Sequence, residues 1–373
     1  MGRGIEHGTR PPRRRPGEPG DRRRRPLPPR ADRPAPRRRR RARPRRRHPR
    51  GEGVLWALRS LCVSLWSLLQ LPTREKPDVV HVHSSHGVAF YRASAFVLFA
   101  AVVWRCPVVV HVHGSSFDEF VADASAPVAA YQSLVLGAAD RVIVLSPYWR
   151  DVLAERTDRK RLLVLPNAVD ADAYDPAYDA DPPRLAFVSN HVERKGVGEF
   201  VDAVERLRDR DADLSVAIAG TGPLDHHAEH LAETDPAVTY EGYVSEARKR
   251  ELLAESSVYV LPTHGEGLPI AMLEGMAGGN AVVATTVGSI PEVIDADRGR
   301  LVEPGDVDAL VEALAELLAA REHLDAMGRR NRAAVEADYD WAVVIDELTE
   351  LYRGLANAES GARARQGTAA RQP

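Results

Sequence analysis

Lysine and cysteine are both scarce in this chain of 373 residues, which contains only Lys76, Lys160, Lys195 and Lys249 and only Cys62 and Cys106. Two cysteines exclude a disulfide framework and make a reducing cytoplasm the expected compartment. No secretory signal is recognisable, because the basic N-terminal stretch is far too long and no small-residue cleavage site follows it. Long apolar runs without charge are wanting. Residues 54–70 carry Arg59 and residues 89–104 carry Arg92, and each stretch precedes a strand-like run, so both read as covering helices rather than membrane spans. The third glycine of a dinucleotide loop is absent after Gly220-Thr221-Gly222-Pro223, where Asp225 stands instead. No histidine spacing matches a zinc-binding helix. Strand alternation puts His81 and His83 on one face, with no reason for His86 and His111 to converge with them on an ion.

What positive charge there is lies unevenly. The net charge of −2 hides a split, because residues 1–53 hold 21 Lys+Arg against 5 Asp+Glu, whereas residues 54–373 hold 30 against 48. With Arg37 to Arg41, Arg45 to Arg47 and many prolines, residues 1–53 have almost nothing to bury and are expected to be disordered. Such a segment could serve as an arm for nucleic acid or an anionic membrane surface. We prefer another reading, an out-of-frame translation: GAC codons for Asp, read two bases out of phase, become CGA codons for Arg. On that reading, plausible protein begins at Val54.

The body alternates strand and helix signals. Strands are expected at Asp78 to Val82, Val108 to Val112, Arg141 to Leu145 and Leu162 to Leu165. A second series is expected at Leu185 to Val188, Leu214 to Ala219, Val238 to Glu241, Val258 to Leu261 and Ala281 to Ala284. A length of 373 residues suits two domains, and the Asp- and Pro-rich stretch from Asp170 to Pro183 reads as the linker. The expected units are 54–182 and 183–340, each Rossmann-like, then a closing helix at 341–355 and a frayed tail at 356–373. The fold class is α/β, with two doubly wound domains facing a cleft.

The most informative stretch runs from Thr263 to Gly279. It sets Glu266 and Glu274 eight positions apart around Gly265, Gly267 and Pro269, directly after the buried strand Val258 to Leu261. Pro269 suits a first helical turn, which leaves Glu266 in the strand-to-helix loop and Glu274 about two turns into the helix. Ligands of open parallel sheets bind outside the carboxyl ends of strands, and phosphates favour helix N-termini. Carboxylates accept hydrogen bonds from sugar and ribose hydroxyls.

This segment resembles glycosyltransferase family 4, retaining enzymes of the GT-B fold whose signature is two glutamates separated by seven residues. Further similar elements follow in the family's order: His111-Val112-His113-Gly114, Leu165-Pro166-Asn167-Ala168-Val169-Asp170, Phe187 to Gly196, Val287 to Ile294 and Leu301 to Asp306. The resemblance covers about residues 75 to 355. It implies catalytic roles for His113 near the reacting sugar, Glu266 on donor-sugar hydroxyls and Lys195 on the diphosphate. It implies donor binding by Glu274 at the ribose, by Arg194, by Gly267 and Leu268 through helix N-terminal amides, by Gly114, and by backbone at Tyr243 and Val244 facing the base. Ser189-Asn190 replaces the family's common Gly-Arg, so Arg194 is the substitute cation. The first strand and glycine-rich loop of the family have no counterpart between Met1 and Gly53.

The implied function is retaining transfer of a sugar from a nucleotide-sugar donor to a glycan or lipid-linked acceptor at the cytoplasmic membrane face, most like the exopolysaccharide-building branch. Four Asp-Ala-Asp triplets, at Asp170, Asp179, Asp211 and Asp295, mimic the metal motif of the other glycosyltransferase fold. So many copies in an Asp-rich chain read as chance, so no metal and no cofactor are expected. Three other readings stay open: an inactive GT-B-like binding protein, a sugar-nucleotide epimerase, and a nucleic-acid binder acting through the arginine tail. No specific nucleic acid is expected.

Overall fold

The computed structural model describes residues 63–64, 66–178, 180–210 and 213–369. The arginine-rich segment and most of the helix expected at 54–70 lie outside the described residues. Two all-parallel sheets form the scaffold. The first contains β1 (Val80–Ser84), β2 (Val108–Val112), β3 (Arg141–Val144) and β4 (Leu162–Val164), side by side in chain order. Val, Ile and Leu dominate β2 to β4, and β2 is buried throughout, as strands covered on both faces require. Period-two alternation sorts their side chains. Val108, Val110 and Val112 join Phe90 and Val97 of the helix Val88–Phe99 on one face, whereas Val109 and Ile143 meet Val344 on the other.

The second sheet holds β5 (Arg184–Val188), β6 (Ser215–Ala219), β7 (Val238–Tyr240), β8 (Val258–Leu261), β9 (Ala281–Thr285) and β10 (Gly299–Val302). Their order across the sheet is β10-β9-β8-β5-β6-β7. The chain therefore builds outward from β5, returns to its other side at β8 and builds outward again. Strands β5 and β8 are neighbours whose onward connections diverge, so a crevice opens at their carboxyl ends.

The chain crosses between the domains twice, and the two crossings touch. Val169 pairs with Asp340 in a parallel bridge, and the Asp340 carboxylate accepts from the Ala171 N–H at 3.0 Å. From there the helix Trp341–Ala369 returns to the first sheet, where Val344, Leu348, Leu351 and Leu355 cover Val109, Ile143 and Leu165. This helix passes well beyond Leu355, where the sequence reading ended it and placed a frayed tail. Ala356, Ala358, Ala362 and Ala364, with no proline before Pro373, let the helix continue, although Gly361 and Gly367 weaken it. β10 was not foreseen as a strand, since Gly299 and Arg300 interrupt any apolar run.

The return of the last helix makes a test. Val344 is buried between that helix and β2, so Val344→Asp places an unpaired carboxylate there and is expected to destabilise by about 3 kcal/mol. Urea unfolding followed by circular dichroism should show an earlier first transition. An unchanged transition would mean that the helix is not held by this contact.

Candidate active site

The crevice at β5 and β8 is lined by the two loops that leave those strands. After β5 the chain turns through Glu193-Arg194-Lys195 into Gly196, whose φ of 76° lies in the left-handed region. A Cβ on Gly196 would stand 2.1 Å from the Pro262 carbonyl oxygen, so only glycine lets this loop press against the end of β8. The Arg194 carbonyl then accepts from the His264 N–H at 2.8 Å. One carboxylate collects the side chains. Glu266 Oε1 lies 2.5 Å from Lys195 Nζ, 3.3 Å from Arg194 Nη1 and 3.0 Å from the Thr263 hydroxyl. Glu266 is buried, and two cations with a hydroxyl compensate for its lost hydration.

The backbone after Glu266 is fixed from the other side. Gly288, at φ 54°, brings the following turn so close that a Cβ would stand 2.0 Å from the Glu266 carbonyl oxygen, and Ser289 N–H donates to the Gly267 carbonyl at 3.0 Å. Among the described residues, the buried Gly267 and Leu268 N–H groups donate to no protein acceptor. They precede the helix Ile270–Ala277 and are available to an anion. Pro269 is extended (ψ 117°) and caps this helix rather than opening its first turn. Glu274 therefore lies little more than one turn in, not two.

Glu274 has its own lysine. Lys249, on the helix Glu246–Ala254, holds Glu274 Oε1 at 2.7 Å and Glu246 Oε2 at 2.8 Å. Burial pushes the Glu274 carboxyl above its ordinary pKa, and Lys249 offsets this only in part. Burial also works against the Lys249 charge, but its hydrogen bonds to Glu246 and Glu274 prevail and raise its pKa. Tyr243 and Val244 lead into that helix, Tyr243 being 85% exposed.

The first domain closes over the same crevice. His113 and Gly114 follow β2, and a Cβ on Gly267 would stand 3.3 Å from the His113 carbonyl oxygen and 3.0 Å from Leu145 Cδ1. Trp149 Nε1–H donates to the Gly267 carbonyl at 3.1 Å, and Asn167 donates to the Leu268 carbonyl at 2.7 Å. Burial lowers the His113 pKa to about 4, aided by His83 and opposed by Asn167. The backbone of His113 and Gly114 thus meets the loop that carries Glu266, Gly267 and Leu268, with Arg194 and Lys195 on Glu266, while the His113 ring packs on His111 and lies 2.8 Å from His83 Nδ1. Glu274 stands along the helix that leaves that loop, with Tyr243 and Val244 beside its lysine-bearing partner helix.

Known proteins are similar to this chain in sequence and fold. The sequence model described as Glycosyltransferase Family 4 matches residues 12–173, and that described as Glycosyl transferases group 1 matches residues 182–320. The chain belongs to the family 4, group 1 glycosyltransferases. It is 29% identical over 293 residues to sulfoquinovosyl transferase of Arabidopsis thaliana, covering 74% of this chain and 56% of that protein. It therefore spans little more than half the length of that relative. It is 27% identical over 304 residues to phosphatidyl-myo-inositol mannosyltransferase of Mycobacterium tuberculosis, covering 77% of this chain and 75% of that one. Sucrose-phosphate synthase from Thermosynechococcus elongatus superposes with a TM-score of 0.68 at 20% identity, covering 85% of this chain and 82% of that structure. This last likeness concerns the fold, which is GT-B.

In this family 4 chain, sequence reasoning missed Lys249 and Thr263 as partners of the two glutamates, and Trp149 and Asn167 as donors across the crevice. The scarcity of lysine was the available signal: two of the four lysines pair with the two motif glutamates. The glycines at 220 and 222 serve contact with the loop after β5, since Cβ atoms there would stand 1.8 Å from the Ser189 oxygen and 2.2 Å from the His191 oxygen. One expectation about the histidines is corrected. The register of β1 and β2 sets His83 opposite His111, so His111 does converge with His81 and His83.

Glu274 yields a pH test. A carboxyl whose folded pKa is raised contributes stability below its unfolded value, about 4.3, and loses it as pH rises through the folded value. The half-buried Glu274 therefore contributes less stability at pH 7 than in acid. Glu274→Gln should melt higher than the parent at pH 7, with the gap closing toward pH 4. A variant less stable by the same amount at both pH values would contradict this.

Proposed function

We propose that this glycosyltransferase moves a sugar from a nucleotide-sugar donor to a glycan or lipid-linked acceptor with retention of anomeric configuration. The observation that carries the reading is the meeting of Lys195, Arg194 and Glu266 at the switch point of the second sheet, opposite His113 and Gly114 of the first. A diphosphate entering the crevice would take Lys195 and Arg194 as partners and the Gly267 and Leu268 amides as further donors, which frees the Glu266 carboxylate for donor-sugar hydroxyls. Glu274 would accept from ribose hydroxyls. As the glycosidic bond to the leaving diphosphate breaks, charge gathers on its oxygens, where preorganised cations and amides act most strongly. His113 would stand beside the anomeric carbon. The leaving phosphate accepts the acceptor's proton on the same face, so no protein nucleophile is assigned. Neither a metal nor a cofactor enters this scheme.

The acceptor reading draws on the relatives' names, which include a mannosyltransferase acting on a phosphatidyl-inositol lipid. Among the described residues, no helix is long and apolar enough to cross a membrane. Exposed Trp66, Leu69, Val102 and Val103 give the first domain apolar side chains for peripheral contact with a bilayer, at the inner face of the membrane in this proposal.

Thermal unfolding of the full chain against UDP-, GDP- and ADP-sugars tests the donor site. A ligand at about a hundred times its dissociation constant should add roughly 2.7 kcal/mol of stability. One nucleotide class should shift the melting point, and Glu274→Ala should abolish the shift. In turnover with a lipid extract as acceptor, Lys195→Ala should lower kcat by about a hundredfold. Binding without nucleoside diphosphate release would favour an inactive binding protein, and no shift with any sugar nucleotide would sink the proposal.

A further inference from the structure

Beside the crevice, the first sheet carries three histidines, His81, His83 and His111, that the transfer reaction does not use. His81 and His83 are two apart on β1 and so share a face; His111 lies on β2 opposite His83, and His113 follows two residues later. All four rings therefore stand on the face covered by the helix Trp341–Ala369. Ring centroids are 4.5 Å apart for His81 and His83, 5.4 Å for His81 and His111, and 5.2 Å for His83 and His111.

The ring nitrogens divide into those that are held and those that are not. His81 Nδ1 is bound by the Tyr352 hydroxyl, while its buried Nε2 has no partner. His83 Nδ1 lies 2.8 Å from His113 Nε2, which leaves His83 Nε2 for another ligand. His111 is only 8% exposed, and neither of its ring nitrogens has a hydrogen-bond partner. A buried imidazole with both nitrogens idle is costly, and its neighbours His81 and His83 stack on it with their planes 12° and 30° from its own. One ligand atom from each of the three histidines can be chosen so that all lie within 4.8 Å of one another.

We propose that His81, His83 and His111 bind a divalent transition-metal ion of the zinc, nickel or copper class, which imidazole ligands favour. Three neutral imidazoles with a further position open to water make a complete donor set for such an ion. Nitrogens about 2.0–2.1 Å from a tetrahedral ion stand about 3.4 Å apart, so binding requires the rings to turn out of their stack until the in-plane lone pairs converge. Tyr352 would orient His81, as outer partners orient metal-bound imidazoles. A cavity lined by Asp78, Val79, His81, Tyr352 and Arg353 opens beside His81 and gives an ion a way in.

Occupancy would also constrain the crevice. With Nε2 on the ion, neutral His83 must keep its proton on Nδ1 and donate it to His113 Nε2. His113 then carries its own proton on Nδ1. The ion thereby positions His113 through His83 and takes no part in bond breaking.

The test uses untagged full-length protein, stripped with a chelator and desalted, then titrated with Co²⁺ and afterwards with Zn²⁺. One equivalent of Co²⁺ should develop the visible absorption of a low-coordinate nitrogen site, and Zn²⁺ should displace it. His83→Ala and His111→Ala should each weaken Co²⁺ binding at least about tenfold, whereas His226→Ala, on the helix Asp225–Thr234, should not. His83 is exposed, so its variant keeps the test decisive if His111→Ala fails to fold. Parent protein that takes up no stoichiometric ion, or a folded variant that keeps the parent affinity, would overturn the proposal.

Discussion

The divergence of β5 and β8 is the constraint on which the rest depends. Two adjacent parallel strands send their connections to opposite sides, which opens a gap at their carboxyl ends. Into that gap the chain puts Glu266, a buried carboxylate, and meets its cost with Lys195, Arg194 and Thr263. Leaving such a carboxylate unpaired would cost several kcal/mol, so the loops after β5 and β8 are bound to one another through it. Gly196 and Gly288 allow the backbones to come close enough for this to happen.

The same economy governs the second glutamate. Glu274 is held by Lys249 on the helix that follows Tyr243 and Val244, so the elements assigned to ribose and base are linked by an ion pair. In a chain with so few lysines, placing half of them on one buried and one half-buried glutamate concentrates compact, strongly hydrated cations where phosphate and carboxylate compete. Arginine carries the charge elsewhere, in pairs such as Arg248 with Glu241 and Arg300 with Glu316.

Much of this was legible beforehand because the signals were local. The apolar runs at 108–112 and 258–261 could only be buried strands, and the loop from Thr263 to Pro269 announced its glycines and its carboxylate. What was not legible depended on register and on long-range packing. Nothing local marks Gly299 to Val302 as a strand, since it acquires its partner from β9. His111 looked unrelated to His81 and His83 because sequence gives alternation within a strand but not which residue faces which across two strands. Trp149 and Asn167 donate to a loop more than a hundred positions away, and only the closure of the two domains brings them there. The helix continues past Leu355 to Ala369, through a stretch where Gly361 and Gly367 give no local signal for it.

The central claim is that the crevice at β5 and β8, roofed by His113 and Gly114, holds the donor. A crystal structure of the full chain soaked with UDP or GDP tests it most directly. The account expects the diphosphate within hydrogen-bond reach of Lys195 Nζ and the Gly267 and Leu268 amides, with ribose hydroxyls on Glu274 and the contact between Lys195 and Glu266 loosened. A nucleotide seated elsewhere, with that ion pair undisturbed, would contradict it.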